Sequence, residues 1–483
     1  MKVLAFDFGA SSGRAILGTF ENGKITLEEI HRFDNEPVSM NGNFYWDLPR
    51  LFHEVKQGLM KAEKYNYESV GIDTWGVDYA LITKNGWLLG NPYNYRDERT
   101  LPVFDSLKES ISASDLYKQT GIQDMNLNTM YQLLETKDNN PDIYELADKF
   151  ILVPDLFSFL LTGKIYAERS MASTTQLLDP VTKEWNKPLI EKLGLKLSMF
   201  PTLVDSGTKV AYIKEDLCKE LNIKPKWVTA VAGHDTASAV VAVPAKAKDF
   251  VYISCGTWSL FGTELDAPCL TDMSAEMNIT NETGYGKTTR FLKNIIGLWM
   301  IQETRRQFKR DGKDYSYADM EAMARECKPF QCFINPDDPR FSPPGNQVER
   351  IRAFCRETGQ YIPQTDGEIV RCIYESLAMK YKYTFENLQQ CTGKTFETIH
   401  MVGGGTKDGF LCQMTADATN VPVVAGPIEA TAAGNIAVQL IAAGEIKDLS
   451  EARQIIADSF DVKEFTPQDS AFDENYERFC GIL

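Results

Sequence analysis

Four short stretches of this chain combine acids, hydroxyls and glycines in ways that suit work on a phosphate group. In VAGHDTASAV, Asp235 follows an apolar run and opens a stretch of small residues, so a carboxylate stands where a strand gives way to a helix. There it could accept a hydroxyl proton in a cleft or cap the helix, and the two roles differ in what the side chain faces. His234 is adjacent, but no Ser/His/Asp or Cys/His spacing surrounds it, and a positioning or packing role is the better reading. In FDFGASSGR, Asp7 precedes a tight turn of small residues that ends in Arg14. The N–H groups of Ala10 through Gly13 and the hydroxyls of Ser11 and Ser12 could cradle phosphate, with Arg14 adding fixed charge and Asp7 facing a divalent cation. An ordinary hairpin with an incidental acid is the alternative.

ISCGTWSL sets Gly256 and Thr257 between two apolar runs, a second turn able to offer an N–H and a hydroxyl to phosphate. MVGGGTKDGF puts Gly403, Gly404 and Gly405 between a strand and a helix, where the missing side chains permit close approach of a nucleotide or simply make a glycine-rich loop. NETGYGKT ends like a P-loop at Gly286-Lys287-Thr288, but Asn281 stands where the first glycine is required, and neither a clear buried strand before it nor a helix after it is expected.

The elements that must carry these residues follow an α/β pattern. KVLAFDFG, RAILGTF and KITLEEIHRF read as three antiparallel strands, the last two joined at Asn22–Gly23. A helix from about Asp47 repeats Leu51, Val55, Leu59 and Ala62 on one face, and SVGIDTWGVDYALI returns to strand. DFVYISCGTWSLFGTEL repeats the strand–turn–strand order after VPAKAKD, which gives a domain boundary at 245/246. The second half continues with a helix from about Asp366 bearing Ile369, Ile373, Leu377, Tyr381 and Leu388. The strand TIHMVGGG, a helix from Asp408, the strand VPVVAG and the helix EATAAGNIAVQLIAAG follow. Residue-level repeats between the halves are weak, and duplication rests on element order.

Composition narrows the partners. With 67 acidic and 51 basic side chains among 483 residues, the net charge of −16 disfavours nucleic acid and anionic membranes. A local cradle with Mg²⁺ still admits ATP. No run of residues is long and apolar enough to cross a bilayer, the N-terminal segment reads as a strand and not a signal, and a cytoplasmic location is expected. The ten cysteines show no CxxC and no accompanying histidines, which reads as free thiols rather than a zinc site or a disulfide framework.

Together these segments resemble the FGGY family of carbohydrate kinases, within the superfamily of sugar kinases, actin and heat-shock chaperones. FDFGASSGR is similar to the first phosphate motif, GHDTASA to the base motif, ISCGTWSL to the second phosphate motif, MVGGG to the adenosine motif and EATAAGNIAVQ to the C-terminal helix. The resemblance covers nearly the whole chain. It implies two ribonuclease-H-like domains of the actin/hexokinase type flanking a cleft, with residues 1–245 holding sugar and base and 246–483 the nucleotide. It also implies roles: Gly76, His234, Asp235, Thr236 and Asn294 at the sugar, with Asp235 the catalytic base; Ala10, Ser11, Ser12, Gly13, Arg14, Thr257, Gln302 and Gly404 at ATP; and Asp7 on Mg²⁺ through water. IDTWGVD, NYRDERT, NTMYQL, FSFLLTGK and LKNIIGLW are closest to the members that phosphorylate the 1-hydroxyl of L-rhamnulose. L-Fuculose, the epimer at carbon 4, is the alternative, and a non-catalytic nucleotide-binding module the alternative of another class. Gln132 stands where many members have Lys, and WGVD replaces the Arg-Glu pair of glycerol kinases, which argues against xylulose and glycerol.

Because the GKT at 286–288 lacks the P-loop context, Lys287→Ala is expected to leave the KM for ATP nearly unchanged. Steady-state kinetics at varied ATP check this, and a large rise would make that turn a nucleotide site.

Overall fold

The computed structural model describes residues 1–483. The chain forms two compact units, each assembled from three stretches: Met1–Lys246, Glu264–Phe291 and Ala430–Phe460 in the first, and Ala247–Thr263, Leu292–Glu429 and Asp461–Leu483 in the second. The expected boundary at 245/246 falls beside the first crossing, but two later stretches return to the first unit. No local feature of the sequence announces those returns.

In the first unit, β1 (Lys2–Phe8), β2 (Ser12–Glu21) and β3 (Lys24–Asp34) are antiparallel, and Asn22 and Gly23 turn the hairpin at φ 52° and 74°. Positive φ at both central residues is what a type I′ turn demands. The helix α1 (Leu48–Ala62) starts where Asp47 accepts the Arg50 N–H, has Pro49 in its first turn, and buries Leu51, Val55, Leu59 and Ala62. β4 (Ser69–Thr74) joins β1 in parallel, β6 (Trp227–Ala230) joins β4 in parallel, and β5 (Thr208–Tyr212) closes the edge antiparallel to β6. Leu4, Phe6 and Phe8 of β1 share one core with α1 and β4, and residues between β4 and β5 build a second core around Met130, Phe150 and Leu189. The single strand expected over SVGIDTWGVDYALI is broken: β4 stops at Thr74, pairing resumes at Tyr79, and Val77 between them has φ 65°. Asp235 begins α2 (Asp235–Val241).

In the second unit, β7 (Val251–Cys255) and β8 (Trp258–Leu265) are antiparallel, β9 (Ile399–Val402) lies parallel to β7, β10 (Val423–Ala425) parallel to β9, and β11 (Lys463–Phe465) antiparallel to β10. Its helices include α3 (Trp299–Arg310), α4 (Gln347–Glu357), α5 (Asp366–Thr392) and α6 (Gly409–Thr419). A capping box of Thr365 and Glu368 opens α5, which buries Ile369, Ile373, Leu377, Tyr381 and Leu388 as the periodicity required. The run β8-β7-β9-β10-β11 repeats the first unit's β2-β1-β4-β6-β5, with pairings antiparallel, parallel, parallel and antiparallel in both. Duplication is thus visible in the ladders although the residues scarcely show it. No helix is long and apolar enough to cross a membrane.

The helix Ala430–Ala443 belongs to the first unit, and a Cβ on its Gly434 would lie 1.8 Å from the Ser238 carbonyl oxygen in α2. That neighbour is backbone and cannot swing aside. In an open helix Gly→Ala stabilises by about 1 kcal/mol, whereas overpacking costs about 1–3 kcal/mol or more. Gly434→Ala is therefore expected to lower the thermal midpoint, and a raised midpoint would show that the two helices do not meet this closely.

Candidate active site

In the first unit three carboxylates gather at the ends of β1, β4 and the segment after β6. Asp7 lies beside Asp73 in the parallel β1–β4 register and opposite Arg14 in the β1–β2 hairpin. Arg14 makes a 2.5 Å ion pair with Asp7 and keeps 19% of its side chain exposed, so part of the charge expected for phosphate is already engaged. The intervening turn is pinned: Gly9 N–H donates to the Ser12 carbonyl at 2.9 Å, and the Asn35 amide donates to the Gly9 carbonyl at 2.8 Å. Ala10 through Gly13 thus form a fixed loop.

Asp73 was not singled out by the sequence, where its only signal is an acid inside the buried run SVGIDT. Its Oδ2 accepts the Asn435 side-chain N–H at 2.5 Å, while Oδ1 is buried without a hydrogen-bond partner. Burial raises its pKa well above the carboxylate range, and the charges of Asp7 and Asp235 push the same way. An orphaned buried carboxylate oxygen beside a second acid is the kind of hard-oxygen donor set a divalent cation takes. The residues present therefore fit such an ion, with Asp73 added to the expected Asp7.

The segment Gly233-His234-Asp235 is fixed from below. Its Gly233 carbonyl accepts Thr74 N–H at 2.9 Å, and Gly233 N–H donates to the buried Glu168 carboxylate at 3.0 Å. His234 occupies the N-cap position of α2 and makes no side-chain cap, and Asp235 is the first helical residue. Asp235 accepts Thr236 N–H at 2.6 Å and the Thr236 hydroxyl at 3.2 Å. Burial raises its pKa, opposed first by His234, yet 31% of the side chain remains open to solvent, which makes it recessed but reachable. Gly76 belongs to the same place, since a Cβ there would stand 3.4 Å from His234 Nε2. Gly76, His234, Asp235 and Thr236 are thus brought together, whereas Asn294 lies on a strand of the second unit.

Behind His234 is a pair the sequence reading missed. Its Nε2 is 3.4 Å from Asp235, while Nδ1 lies 3.2 Å from Glu282 and 3.1 Å from Arg290, which pair with each other at 2.9 Å. Burial works against the Glu282 anion, but Arg290 and His234 outweigh it and hold its pKa at about 2. Glu282 sits in the stretch that imitated a P-loop, and Arg290 two residues beyond it. There a short buried strand, Thr280–Thr283, does precede the GKT, contrary to expectation, but a strand and not a helix follows, and Lys287 is 3.5 Å from Asp205.

The WGVD loop is held by Asp78, whose buried carboxylate accepts Trp46 Nε1 at 2.6 Å, Trp75 Nε1 at 2.9 Å, Tyr95 N–H at 3.1 Å and the Gln132 amide at 2.9 Å. Burial lifts its pKa to about 6 even against these donors. Gln132, the departure noted in the sequence, is therefore a donor to this acid. Val77 occupies a backbone region that β-branched residues avoid, and both of its peptide groups are taken, its N–H by Thr174 at 3.0 Å and its carbonyl by Thr129 at 2.5 Å.

In the second unit, the turn between β7 and β8 meets the start of α3, because Leu298 N–H donates to the Gly256 carbonyl and Trp299 N–H to the Thr257 carbonyl, both at 3.1 Å. One helical turn on, Gln302 presents a buried Oε1 without a partner. Among the three glycines after β9, a Cβ on Gly405 would strike Cys255 Sγ at 2.2 Å and one on Gly403, at φ 89°, would meet its carbonyl at 3.1 Å, whereas one on Gly404 would meet nothing within 4 Å. Gly403 and Gly405 are thus glycines for packing, and Gly404 borders open space.

Residues 2–242 match the model of the FGGY family of carbohydrate kinases, N-terminal domain, and residues 251–443 that of its C-terminal domain. A protein of Bacteroides thetaiotaomicron named rhamnulokinase is 43% identical over 99% of both chains, and one of Bacillus subtilis with the same name is 42% identical over 96% of this chain and 95% of its own. In architecture, ligand-bound xylulose kinase from Lactobacillus acidophilus is similar at a TM-score of 0.84, with 19% identity, covering 100% of this chain and 97% of its own. Plasmodium falciparum glycerol kinase with ADP is similar at 0.78, with 15% identity, covering 100% and 96%.

Breaking one side of a buried ion pair typically costs about 3–5 kcal/mol, so Glu282→Gln is expected to lose stability on that scale at neutral pH. An acid whose folded pKa is depressed stabilises above its unfolded pKa, near 4.5, and loses that contribution as pH falls toward about 2. In urea unfolding the gap between wild type and variant should therefore be constant above about pH 5 and narrow below it. A gap indifferent to pH would mean that Glu282 is not held as a paired anion.

Proposed function

This chain belongs to the FGGY family of carbohydrate kinases, and from that premise we propose that it transfers the γ-phosphoryl group of ATP to the 1-hydroxyl of L-rhamnulose. The observation that carries the substrate is the run of relatives named rhamnulokinase at 39–44% identity, each matched over at least 95% of this chain.

The base in this reading is Asp235. Its carboxylate is partly open to solvent and held by Thr236, and burial moves its pKa upward, which makes it a better proton acceptor. His234 keeps one ring nitrogen toward Asp235 and gives the other to Glu282 and Arg290, which holds the imidazole in place beside the sugar. Gly76, against that ring, leaves room that any side chain would fill. The backbone turn Ala10–Gly13 and Arg14 bind phosphate in the first unit, and Thr257, Gln302 and Gly404 bind nucleotide in the second. Asp7 and Asp73 would hold Mg²⁺, which would neutralise charge on the phosphates. Phosphoryl transfer depends on positioning and electrostatics more than on covalent chemistry, which is why so many of these groups are anchored before any ligand arrives.

ADP release with L-rhamnulose, L-fuculose, xylulose and glycerol tests the substrate, with kcat/KM expected to be highest for L-rhamnulose; a higher value for another sugar would replace it. Asp235→Asn keeps the shape and an oxygen for Thr236 but removes the proton acceptor. General-base catalysis is worth roughly 10²–10⁴-fold, about 3–5 kcal/mol, and a loss of that size is expected in kcat with little change in thermal midpoint. Near-wild-type turnover at a native midpoint would remove Asp235 as the base.

A further inference from the structure

Three of the ten cysteines, far apart in sequence, converge in the second unit. Cys332 is in the loop before α4, Cys355 in the last turn of α4 and Cys372 in the second turn of α5, and all three are buried. Their Sγ atoms lie within 4.8 Å of one another, and none is in a disulfide. Cys218 lies against the Ile213 carbonyl, but at this cluster the expectation of scattered thiols fails.

The backbone that carries the three sulfurs is locked by other side chains. On either side of Cys332, Phe330 N–H donates to Glu375 at 2.9 Å, Phe333 N–H to Gln360 at 2.8 Å and Ile334 N–H to Ser376 at 2.9 Å. Gln360 also donates its own N–H to the Cys355 carbonyl at 2.8 Å, and Ser376 its hydroxyl to the Cys372 carbonyl at 2.6 Å. One supporting set thus fixes the loop and both helices, which is how ligand positions are held for a metal. Positive charge is also at hand, since Arg478 donates to the carbonyls of Phe330 and Gln331, and Arg371, next to Cys372, pairs with Glu375.

We propose that Cys332, Cys355 and Cys372 bind one thiophilic d¹⁰ cation per chain, Cu⁺ or Zn²⁺. An all-sulfur donor set selects soft ions. With metal–sulfur bonds of about 2.3 Å, three ligands at 120° stand about 4 Å apart, so the sulfurs need close by less than about 1 Å. Cu⁺ is satisfied by three sulfurs. Zn²⁺ takes a fourth ligand, and a cavity of about 10 Å³ lined by Cys332 and Cys372 has room for about one water. Each thiol that ligates gives its proton to solvent. The ion would tie the loop to α4 and α5 and stabilise the second unit by mass action, independently of which sugar the enzyme phosphorylates.

The full chain, freed of metal with a chelator and kept reduced without oxygen, is given one equivalent of Zn²⁺ or, separately, chelator-buffered Cu⁺, then desalted and assayed for bound metal. Wild type is expected to retain one ion in at least one arm, with a raised thermal midpoint. Cys355→Ser and Cys372→Ser should lose it, and Cys218→Ser should keep it. Co²⁺ added to wild type should give a thiolate-to-metal charge-transfer band, a reading that needs no variant to fold. Retention of no ion in either arm, equal retention by all variants, or an intact mass lighter by two hydrogens with two of these cysteines joined in one fragment pair would each overturn the proposal, the last in favour of a disulfide.

Discussion

Helix 430–443 lies closer to the first unit's sheet, and to α2, than side chains at three positions would allow. A Cβ on Gly18 of β2 would come within 2.6 Å of Ile436, one on Gly71 of β4 within 2.4 Å of the Asn435 amide oxygen, and one on Gly434 within 1.8 Å of the Ser238 carbonyl. At that range side-chain amides reach the backbone and the strand-end acid directly. Gln439 donates to the Leu4 carbonyl of β1 at 3.1 Å and to Asn435 Oδ1 at 2.7 Å, and Asn435 in turn donates to Asp73 at 2.5 Å. The order of donors is therefore set from the strand carbonyl outward, and it leaves Asp73 with one oxygen satisfied and one bare. The same helix abuts α2, which starts at Asp235. One close approach thus fixes where two of the three carboxylates stand.

The electrostatics of the site follow from that placement. Buried acids near one another raise each other's pKa, and Asp73, sealed from water, carries most of the cost. Asp235 is spared part of it because His234 opposes the shift and because one face of its carboxylate remains wet. Arg290 and Glu282 balance each other behind the imidazole, so the histidine is steered without adding net charge to the pocket. Strain is present too, at Val77, where a β-branched residue is held in the left-handed region by bonds to both of its peptide groups. Such strain costs of order 1–3 kcal/mol and persists only where the surroundings over-determine it. Here the surroundings are the Asp78 cage and the Thr129 and Thr174 hydroxyls, and the residue they hold follows Gly76, the one placed against His234.

Much of this was legible in the sequence, because local patterns are physical rules applied within a few residues. The hairpin at Asn22–Gly23, the helix start near Asp47, the apolar face of α5 and the glycine turns at 9–13, 256 and 403–405 each follow from a backbone or burial requirement of that segment alone. What escaped depends on residues distant in the chain. Asp73 looks like one more polar residue in a strand until Asn435 and Asp7 are placed beside it. Glu282 was hidden in a stretch whose glycines and lysine suggested a different motif, and Arg290 lies two residues beyond it. The returns of 264–291 and 430–460 to the first unit have no marker, since a helix rich in small residues fits either unit until its partners are known. The cysteine cluster failed the spacing test for the same reason: its geometry comes from a loop and two helices, not from a short motif.

The repeated sheet explains why the two halves can share a fold and yet differ in chemistry. In each unit a hairpin turn follows the strand that begins the parallel set, β1 in one and β7 in the other, and such strand ends are where ligands meet α/β sheets. The first unit fills its strand ends with acids, Asp7 on β1 and Asp73 on β4. The second has no acid there: Ser254 pairs with Val402 where β7 meets β9, and Cys255 and Gly403 follow them. There the thiol is packed under Gly403 and Gly405, and the turn offers peptide groups with no carboxylate at the strand ends. A pair of acids suits a cation or a proton, whereas bare backbone suits a large uncharged surface or a phosphate. A duplicated sheet needs only a few substitutions at its strand ends to divide these tasks, because the ladders, the helix positions and the turns that expose those ends are set by burial patterns that the substitutions leave intact.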